Sequence, residues 1–169
     1  MMFCSSEKLS ALTQEERDVL FMKEALKEAK KAFAKEEVPV GAVLVCEHRI
    51  IARGHNQVEL LQDATAHAEM LCMTAGASHL QNWRLNEMTL YCTLEPCSMC
   101  AGAMLLSRLQ RLVWAAPDIR VGANGSWIDL FDKKHPIHSI EVASGVLQEE
   151  AAELMRAFFQ KRRKKDASE

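Results

Sequence analysis

The sequence contains no apolar run long enough to cross a membrane and no large excess of charge of one sign. Its longest apolar stretches, such as residues 38–46, fall well short of the roughly 20 residues that a membrane-spanning helix needs. The formal net charge of −2 excludes a molecule-wide basic field of the kind that attracts nucleic acid. The first residues, MMFCSSEKLS, lack the basic start and long apolar stretch of a secretory signal, so we expect a cytoplasmic protein without membrane association.

The sequence also contains no internal repeat and no linker that would divide it into several domains. A chain of 169 residues without either feature suits one compact domain. We assign residues 17–163 to that domain. Residues 1–16 are polar and unpatterned and are predicted to form a loose N-terminal extension, and residues 164–169 are predicted to form a C-terminal tail.

Hydrophobic periodicity predicts the element order α-β-β-α-β-α-β-β-α. Helices are predicted at about residues 17–35, 66–77, 96–106 and 148–163, the second of these four preceded by a polar loop and the third opened by Pro96. Strands are predicted at about residues 38–45, 49–54, 87–94, 111–116 and 140–146. Strands that alternate with helices indicate a central sheet with helices on both faces.

The six cysteines do not indicate a disulfide framework. Cysteines of a cytoplasmic chain should be reduced, so a closely spaced pair indicates metal or redox chemistry. Cys97 and Cys100 form such a pair. The other four are interpreted as small core residues or, at the N-terminal end, as a poor ligand candidate: Cys46, Cys72, Cys92 and Cys4.

Two short motifs carry the chemistry, HAE at residues 67–69 and PCSMC at residues 96–100. Together they match the H-x-E and P-C-x-x-C signature of zinc-dependent nucleobase deaminases. Cys97 and Cys100 are three residues apart and share one helix face, in a first turn where the helix dipole favours thiolate. His67 and Glu69 can act together only from a first turn, for which Thr65 is the expected N-cap. Two helix N-termini are therefore expected to converge on one ion.

The donor set suits a catalytic zinc ion. Two thiolates and a neutral imidazole balance the charge of Zn²⁺, and three protein ligands leave one of four positions open to water, whose pKa falls to about 7. Glu69 is expected to move protons beside that water rather than bind the metal. Two alternatives stay open: a fourth ligand that closes a structural site, and a thioredoxin-like redox pair, which would leave His67 and Glu69 without a role.

Several stretches resemble one family closely: VPVGAVLV from Val38, GHN from Gly54, TAHAEM from Thr65, LYCTLEPCSMCAGAM from Leu90 and GANGS from Gly122. They are similar to the bacterial tRNA-specific adenosine deaminases, over about residues 20–163. The resemblance implies an α/β/α sandwich with a five-stranded mixed sheet, the cytidine-deaminase-like fold. It also implies a homodimer with one Zn²⁺ per subunit, which converts the wobble adenosine of an arginine tRNA to inosine.

Site residues follow from the resemblance position by position. His67, Cys97 and Cys100 match the zinc ligands, and Glu69 matches the proton shuttle. Asn56 matches the residue that hydrogen-bonds the flipped base. The remaining matches are pocket walls or RNA contacts: Val38, Pro39, Leu94, Asp118, Phe159, Arg162 and Arg163.

The basic run at residues 161–165 has two interpretations, a solvated helix end or an RNA contact. The resemblance favours the RNA contact. Two other functions also remain open at this point. A deaminase of a free base or nucleotide would share both motifs, and a catalytically silent zinc module could bind only RNA or a partner subunit.

Overall fold

The computed structural model describes residues 9, 11–132, 136 and 138–167. Cys4 and most of the predicted extension lie outside this part of the chain. The strands are β1 (Gly41–Cys46), β2 (Arg49–His55), β3 (Thr89–Leu94), β4 (Arg111–Ala116) and β5 (Glu141–Ser144). The helices are α1 (Gln14–Ala34), α2 (Val58–Leu61), α3 (Ala68–Leu80), α4 (Ser98–Leu106) and α5 (Gln148–Asp166).

The predicted element order is confirmed, with the short helix α2 as an addition. Helix α1 begins three residues before the predicted start because Thr13 forms a capping box. The Thr13 hydroxyl accepts a hydrogen bond from the Glu16 amide at 3.2 Å, and the Glu16 carboxylate accepts one from the Thr13 amide at 2.8 Å. Strand β1 begins at Gly41 rather than Val38, because the Val40 amide bonds to the Val38 carbonyl at 2.7 Å and takes that segment out of the ladder.

The sheet is five-stranded and mixed, in the order β2-β1-β3-β4-β5. Strand β1 pairs antiparallel with β2 and β3, whereas β3, β4 and β5 are parallel. The end of β2, the start of β1 and the carboxyl ends of β3 and β4 therefore meet at one edge. Ligand sites of open α/β sheets lie at such an edge. It brings together residues 38–40, 55–56, 94–97 and 116–118.

Helices cover both faces of the sheet, which confirms the predicted three-layer α/β/α architecture. Alternate strand residues face opposite ways, so Leu44 and Cys92 pack in the core beneath α3 and α4, while Val43 and Tyr91 pack with α1 and α5. Gly54 of β2 allows a close approach, since a Cβ there would lie 2.4 Å from the backbone oxygen of Ala68. The start of α3 is thereby held directly against the sheet.

Among the described residues, no helix combines the length and the apolar character that crossing a bilayer would require.

Candidate metal centre and pocket

Three predicted ligands meet at the sheet edge. His67 Nδ1 lies 3.7 Å from Cys97 Sγ and 3.6 Å from Cys100 Sγ. Zinc bonds of about 2.05 Å to nitrogen and 2.3 Å to sulfur place tetrahedral ligands about 3.6 Å apart, so the three atoms fit Zn²⁺. Within the described ranges, no fourth histidine, cysteine or carboxylate joins this group. The arrangement therefore suits an ion with an open coordination position.

His67 and Cys97 occupy equivalent positions, each as the N-cap of its helix with an extended backbone. The expectation that Thr65 caps α3 is wrong, because the Thr65 hydroxyl instead donates a hydrogen bond to Asp63 at 2.7 Å. Pro96 precedes the N-cap of α4 rather than opening the helix. Neither His67 nor Cys97 makes a side-chain capping bond, so both side chains are available to a shared ligand.

The local electrostatics favour thiolate at Cys97, whereas the hydrogen bond with Cys97 and burial raise the pKa of Cys100. A hydrogen bond from the Cys100 thiol, together with one from His67, lowers the pKa of Cys97 to about 4. In return, the hydrogen bond with Cys97 raises the pKa of His67. A sulfur that is ionised at neutral pH is ready to bind a divalent cation.

Glu69 lies in the first turn of α3 and is 3% exposed. Burial raises the pKa of its carboxyl to about 7. A carboxyl with this pKa can both accept and donate a proton near neutral pH. Glu69 is outside the three-residue ligand group yet lines the same pocket.

The pocket above the metal centre has a volume of about 270 Å³. Besides His67, Glu69 and Cys97, it is lined by four of the substrate-contact residues assigned from the sequence, namely Asn56, Val38, Leu94 and Asp118. Pro39 is not among the lining residues: it is buried between Val38 and Val40, which both line the pocket. The lining combines apolar side chains, such as Val38, Val40 and Leu94, with several charged and polar ones.

Asn56 is held in place by a buried carboxylate that the sequence analysis did not single out. Its Nδ2 donates a hydrogen bond to Glu37 at 3.1 Å, and Glu37 also accepts bonds from the amides of Glu59 at 3.2 Å and Leu60 at 2.7 Å. Glu37 is 1% exposed. It therefore fixes the Asn56 amide and the start of α2 together.

A larger groove of about 770 Å³ adjoins the pocket and shares Leu94, Asp118, Arg120 and Met155 with it. Phe159 and Arg163 of α5, which the sequence resemblance assigns to RNA contact, line this groove. Arg162 is not among its lining residues, and its guanidinium lies 5.9 Å from the centre of the Phe158 ring.

The side chains of the basic run on α5 point to different sides of the helix. Lys161 and Lys165 lie 3.7 and 3.4 Å from the carboxylate of Glu36. Arg163 points instead to the groove. Only part of the run therefore faces the place where a substrate larger than one base would lie.

Several residues that shape the pocket were not found from the sequence. They are Glu37, Val40, Val58, Glu59, Glu95, Arg120, Val121 and Met155. The one available signal was the placement of Glu37 and Glu95 beside buried strands, where an acidic residue needs a partner. The sequence did not indicate which partners those would be.

Comparison with known proteins agrees with the geometry. Residues 15–116 match the family model of the cytidine and deoxycytidylate deaminase zinc-binding region. This match spans more than half of the chain and includes both motifs.

Two curated relatives and one solved structure show how far the similarity extends. The tRNA-specific adenosine deaminase of Bacillus subtilis is 51% identical over 149 residues, which are 88% of this chain and 92% of that protein. The chloroplastic tRNA(adenine(34)) deaminase of Arabidopsis thaliana is 52% identical in an alignment of 161 positions, which covers 86% of this chain but 12% of that longer protein. A structure from studies of A-to-I editing by tRNA:A34 deaminases superposes with a TM-score of 0.77 at 42% identity, covering 80% of this chain and 98% of the other.

Proposed function

The chain belongs to the zinc-binding cytidine and deoxycytidylate deaminase family, and on that premise we propose that it deaminates adenosine to inosine at the first anticodon position of a tRNA. The tRNA is proposed to be an arginine tRNA, the substrate implied by the sequence resemblance. The similarity to tRNA-specific adenosine deaminases over most of both chains supports this substrate.

The observation that carries the proposal is the continuity of a small pocket with a larger groove. The 270 Å³ pocket is below the usual range of about 300–1,000 Å³ for drug-sized ligands, so it suits a single base. The adjoining 770 Å³ groove has Phe159 and Arg163 for a stacked base and a phosphate. A substrate that extends beyond one base uses both spaces, whereas a free base would leave the groove empty.

His67, Cys97 and Cys100 are the residues that would hold zinc. A bound zinc ion supplies acidity, because it lowers the pKa of water at its open position to about 7. Glu69 accepts a proton from the attacking water and delivers it to ring N1 of the adenine. With the water oxygen now bound to C6, Glu69 takes the proton of this new hydroxyl and transfers it to the amine on the same carbon. The C6–N bond then breaks, the C6 carbonyl forms, ammonia departs and inosine remains.

Asn56 is proposed to hold the flipped base by hydrogen bonds. Its Nδ2 keeps one N–H group beyond the bond to Glu37, and its Oδ1 accepts no hydrogen bond from the described residues. A donor and an acceptor on a fixed amide match the edge of a purine. Val38, Pro39 and Leu94 are proposed to restrict the space around that base.

The groove residues are proposed to hold the neighbouring nucleotides. Asp118, Phe159 and Arg163 of the groove, together with Arg162 of the same helix end, would supply the binding energy that positions the target base, since the small pocket encloses only that base. The homodimer implied by the resemblance is part of this proposal. It is supported by Trp83, Leu106 and Trp127, which are each more than half exposed in the single chain.

The experiment supplies the purified protein with an arginine tRNA anticodon stem-loop and, in parallel, with free adenosine, cytidine and guanine. Ammonia release and inosine formation are followed by chromatography. We expect turnover of the stem-loop and little or none of the free compounds. A stem-loop with guanosine at the first anticodon position serves as the substrate control, and Glu69→Gln as the protein control.

Robust turnover of free guanine or cytidine with an unmodified stem-loop would overturn the tRNA proposal and leave a free-base deaminase. No turnover of any substrate by zinc-loaded protein would favour the silent zinc module.

A further inference from the structure

Glu95 is a buried acid to which the proposed chemistry gives no role. It follows the last residue of β3, precedes Pro96 and is 2% exposed. No lysine, arginine or histidine of the described residues forms an ion pair with it. A carboxylate at such a position must be satisfied by hydrogen-bond donors.

All four of its donors come from one loop, residues 117–126. Its Oε2 accepts hydrogen bonds from the amide of Asp118 at 3.1 Å and from the hydroxyl of Ser126. Its Oε1 accepts from the amides of Asn124 at 2.8 Å and Ser126 at 3.3 Å. One side chain therefore ties together the two ends of the loop.

The loop is closely fitted around this carboxyl group. A Cβ on Gly122 would lie 2.4 Å from the Glu95 carboxyl carbon, so only glycine allows this approach. The Ala123 amide donates a further hydrogen bond to the Pro96 carbonyl at 2.8 Å. The loop is thus packed on the segment that leads into the metal ligand Cys97.

We propose that Glu95 is a positioning residue that sets the place of loop 117–126 at the rim of the pocket and thereby the binding of RNA. The inference rests on the proposed function. Asp118, Arg120 and Val121 of this loop line the pocket, and Arg120 also lines the groove. Moving the loop therefore moves the rim over which the nucleotides beside the target base must lie.

Glutamine at position 95 cannot reproduce the arrangement in either orientation of its amide. If the NH₂ group replaces Oε2, the Asp118 amide loses its acceptor. If it replaces Oε1, the amides of Asn124 and Ser126 lose theirs. Glu95→Gln therefore loosens the loop while it keeps the size of the side chain.

The test compares Glu95→Gln with Glu28→Gln on the zinc-loaded protein. Glu28 is also 2% exposed, but it lies on α1 with Lys31 and Arg53 as partners. We expect Glu95→Gln to raise KM for the stem-loop roughly tenfold or more. Its kcat should stay within about threefold and its zinc content should not change, since only uniform binding is lost. Glu28→Gln should leave KM unchanged even if it lowers the melting temperature.

Hydrogen exchange gives a second readout that does not depend on turnover. The amides of Asp118 and Asn124 should exchange faster in Glu95→Gln than in the wild type. If the wild type does not deaminate the stem-loop, the proposed function fails, and the exchange rates still decide the role of Glu95.

Two outcomes would overturn the inference: unchanged KM and exchange in Glu95→Gln, or an equal rise of KM in Glu28→Gln. If Glu95→Gln does not fold, Ser126→Ala replaces it, because that change removes a single donor from the carboxylate. A folded Ser126→Ala protein should show a smaller rise in KM and a smaller increase in amide exchange than Glu95→Gln. Wild-type values of both KM and exchange would reject the proposal.

Discussion

The metal centre and the outer rim of the pocket lie side by side but are built in different ways. The metal centre takes its candidate ligands from two short motifs at the starts of α3 and α4, where His67 and Cys97 are half-buried and Cys100 is buried. The rim is formed by loop 117–126 and one side of α5, whose basic end is exposed. Chemistry and substrate binding are therefore assigned to separate parts of the chain.

The two regions differ in how firmly their residues are held in place. His67 and Cys97 are fixed by helix N-termini that pack on the core, so their positions follow from the fold as a whole. The rim residues are fixed by a few hydrogen bonds and ion pairs, such as those of Glu95 and Glu36. We therefore expect changes at the metal centre to remove turnover and changes at the rim to alter binding.

The largest effect is expected for Cys97→Ala. Removing one of three ligands should reduce the zinc content from one per chain to well below half, measured by elemental analysis. Turnover should fall by about 10³-fold or more, because a bound metal supplies several kcal/mol of transition-state stabilisation.

Cys46→Ala is the matched control for this prediction, because Cys46 ends β1 and is outside the ligand group. Full zinc and activity in both Cys97→Ala and Cys100→Ala would show that the ligand assignment is wrong.

The second effect concerns the proton carrier at the same centre. Glu69→Gln should keep its zinc and its fold but lose about 10²- to 10⁴-fold in turnover. Because burial raises the pKa of Glu69 to about 7, the ionised form that accepts a proton is lost as the pH falls below that value. The wild-type kcat/KM should therefore decline on the acid side of about pH 7, and this decline should be absent in the residual activity of the variant.

The zinc content of Glu69→Gln shows whether the Glu69 carboxylate is a proton carrier or a metal ligand. Loss of zinc in Glu69→Gln would make Glu69 a ligand and contradict the proposed mechanism.

The smallest effect is expected at the rim, where Arg163→Ala is compared with Lys161→Ala. Arg163 lines the groove, whereas Lys161 lies 3.7 Å from Glu36. Arg163→Ala should weaken binding of the stem-loop and reduce the slope of log K against log salt by about one, because one phosphate contact is lost. Lys161→Ala should change both quantities less. Binding is measured by fluorescence anisotropy titration. Equal effects of the two substitutions would show that residues 161–165 attract RNA through their total charge rather than through a specific contact of Arg163.

The element order and the convergence of the three candidate metal ligands could be predicted because they depend on local patterns. Strand β4 lies at residues 111–116 as predicted, since its apolar residues are buried on both faces of the sheet. The caps could not be predicted. Thr65 is a favourable N-cap by residue type, but the chain turns at Asp63 and places His67 in that position.

Two buried acids of the pocket show what the sequence could not indicate. Glu37 and Glu95 each bond to residues more than 15 positions away, so their partners depend on how the loops fold over the sheet edge. Arg162 and Arg163 are adjacent in the sequence, yet only Arg163 lines the groove. A run of like charges does not by itself show which side chains face a substrate.

The sequence by itself determined the alternation of strands and helices, the three side chains that converge as candidate metal ligands and the acid beside them. Residue spacing decides these features, because a strand repeats every two residues and a helix every 3.6. Only the tertiary structure decided that Asn56 is held by Glu37 and that loop 117–126 is gathered on Glu95. Such hydrogen bonds join segments that are distant in the chain, and they form only where burial removes water as the competing partner.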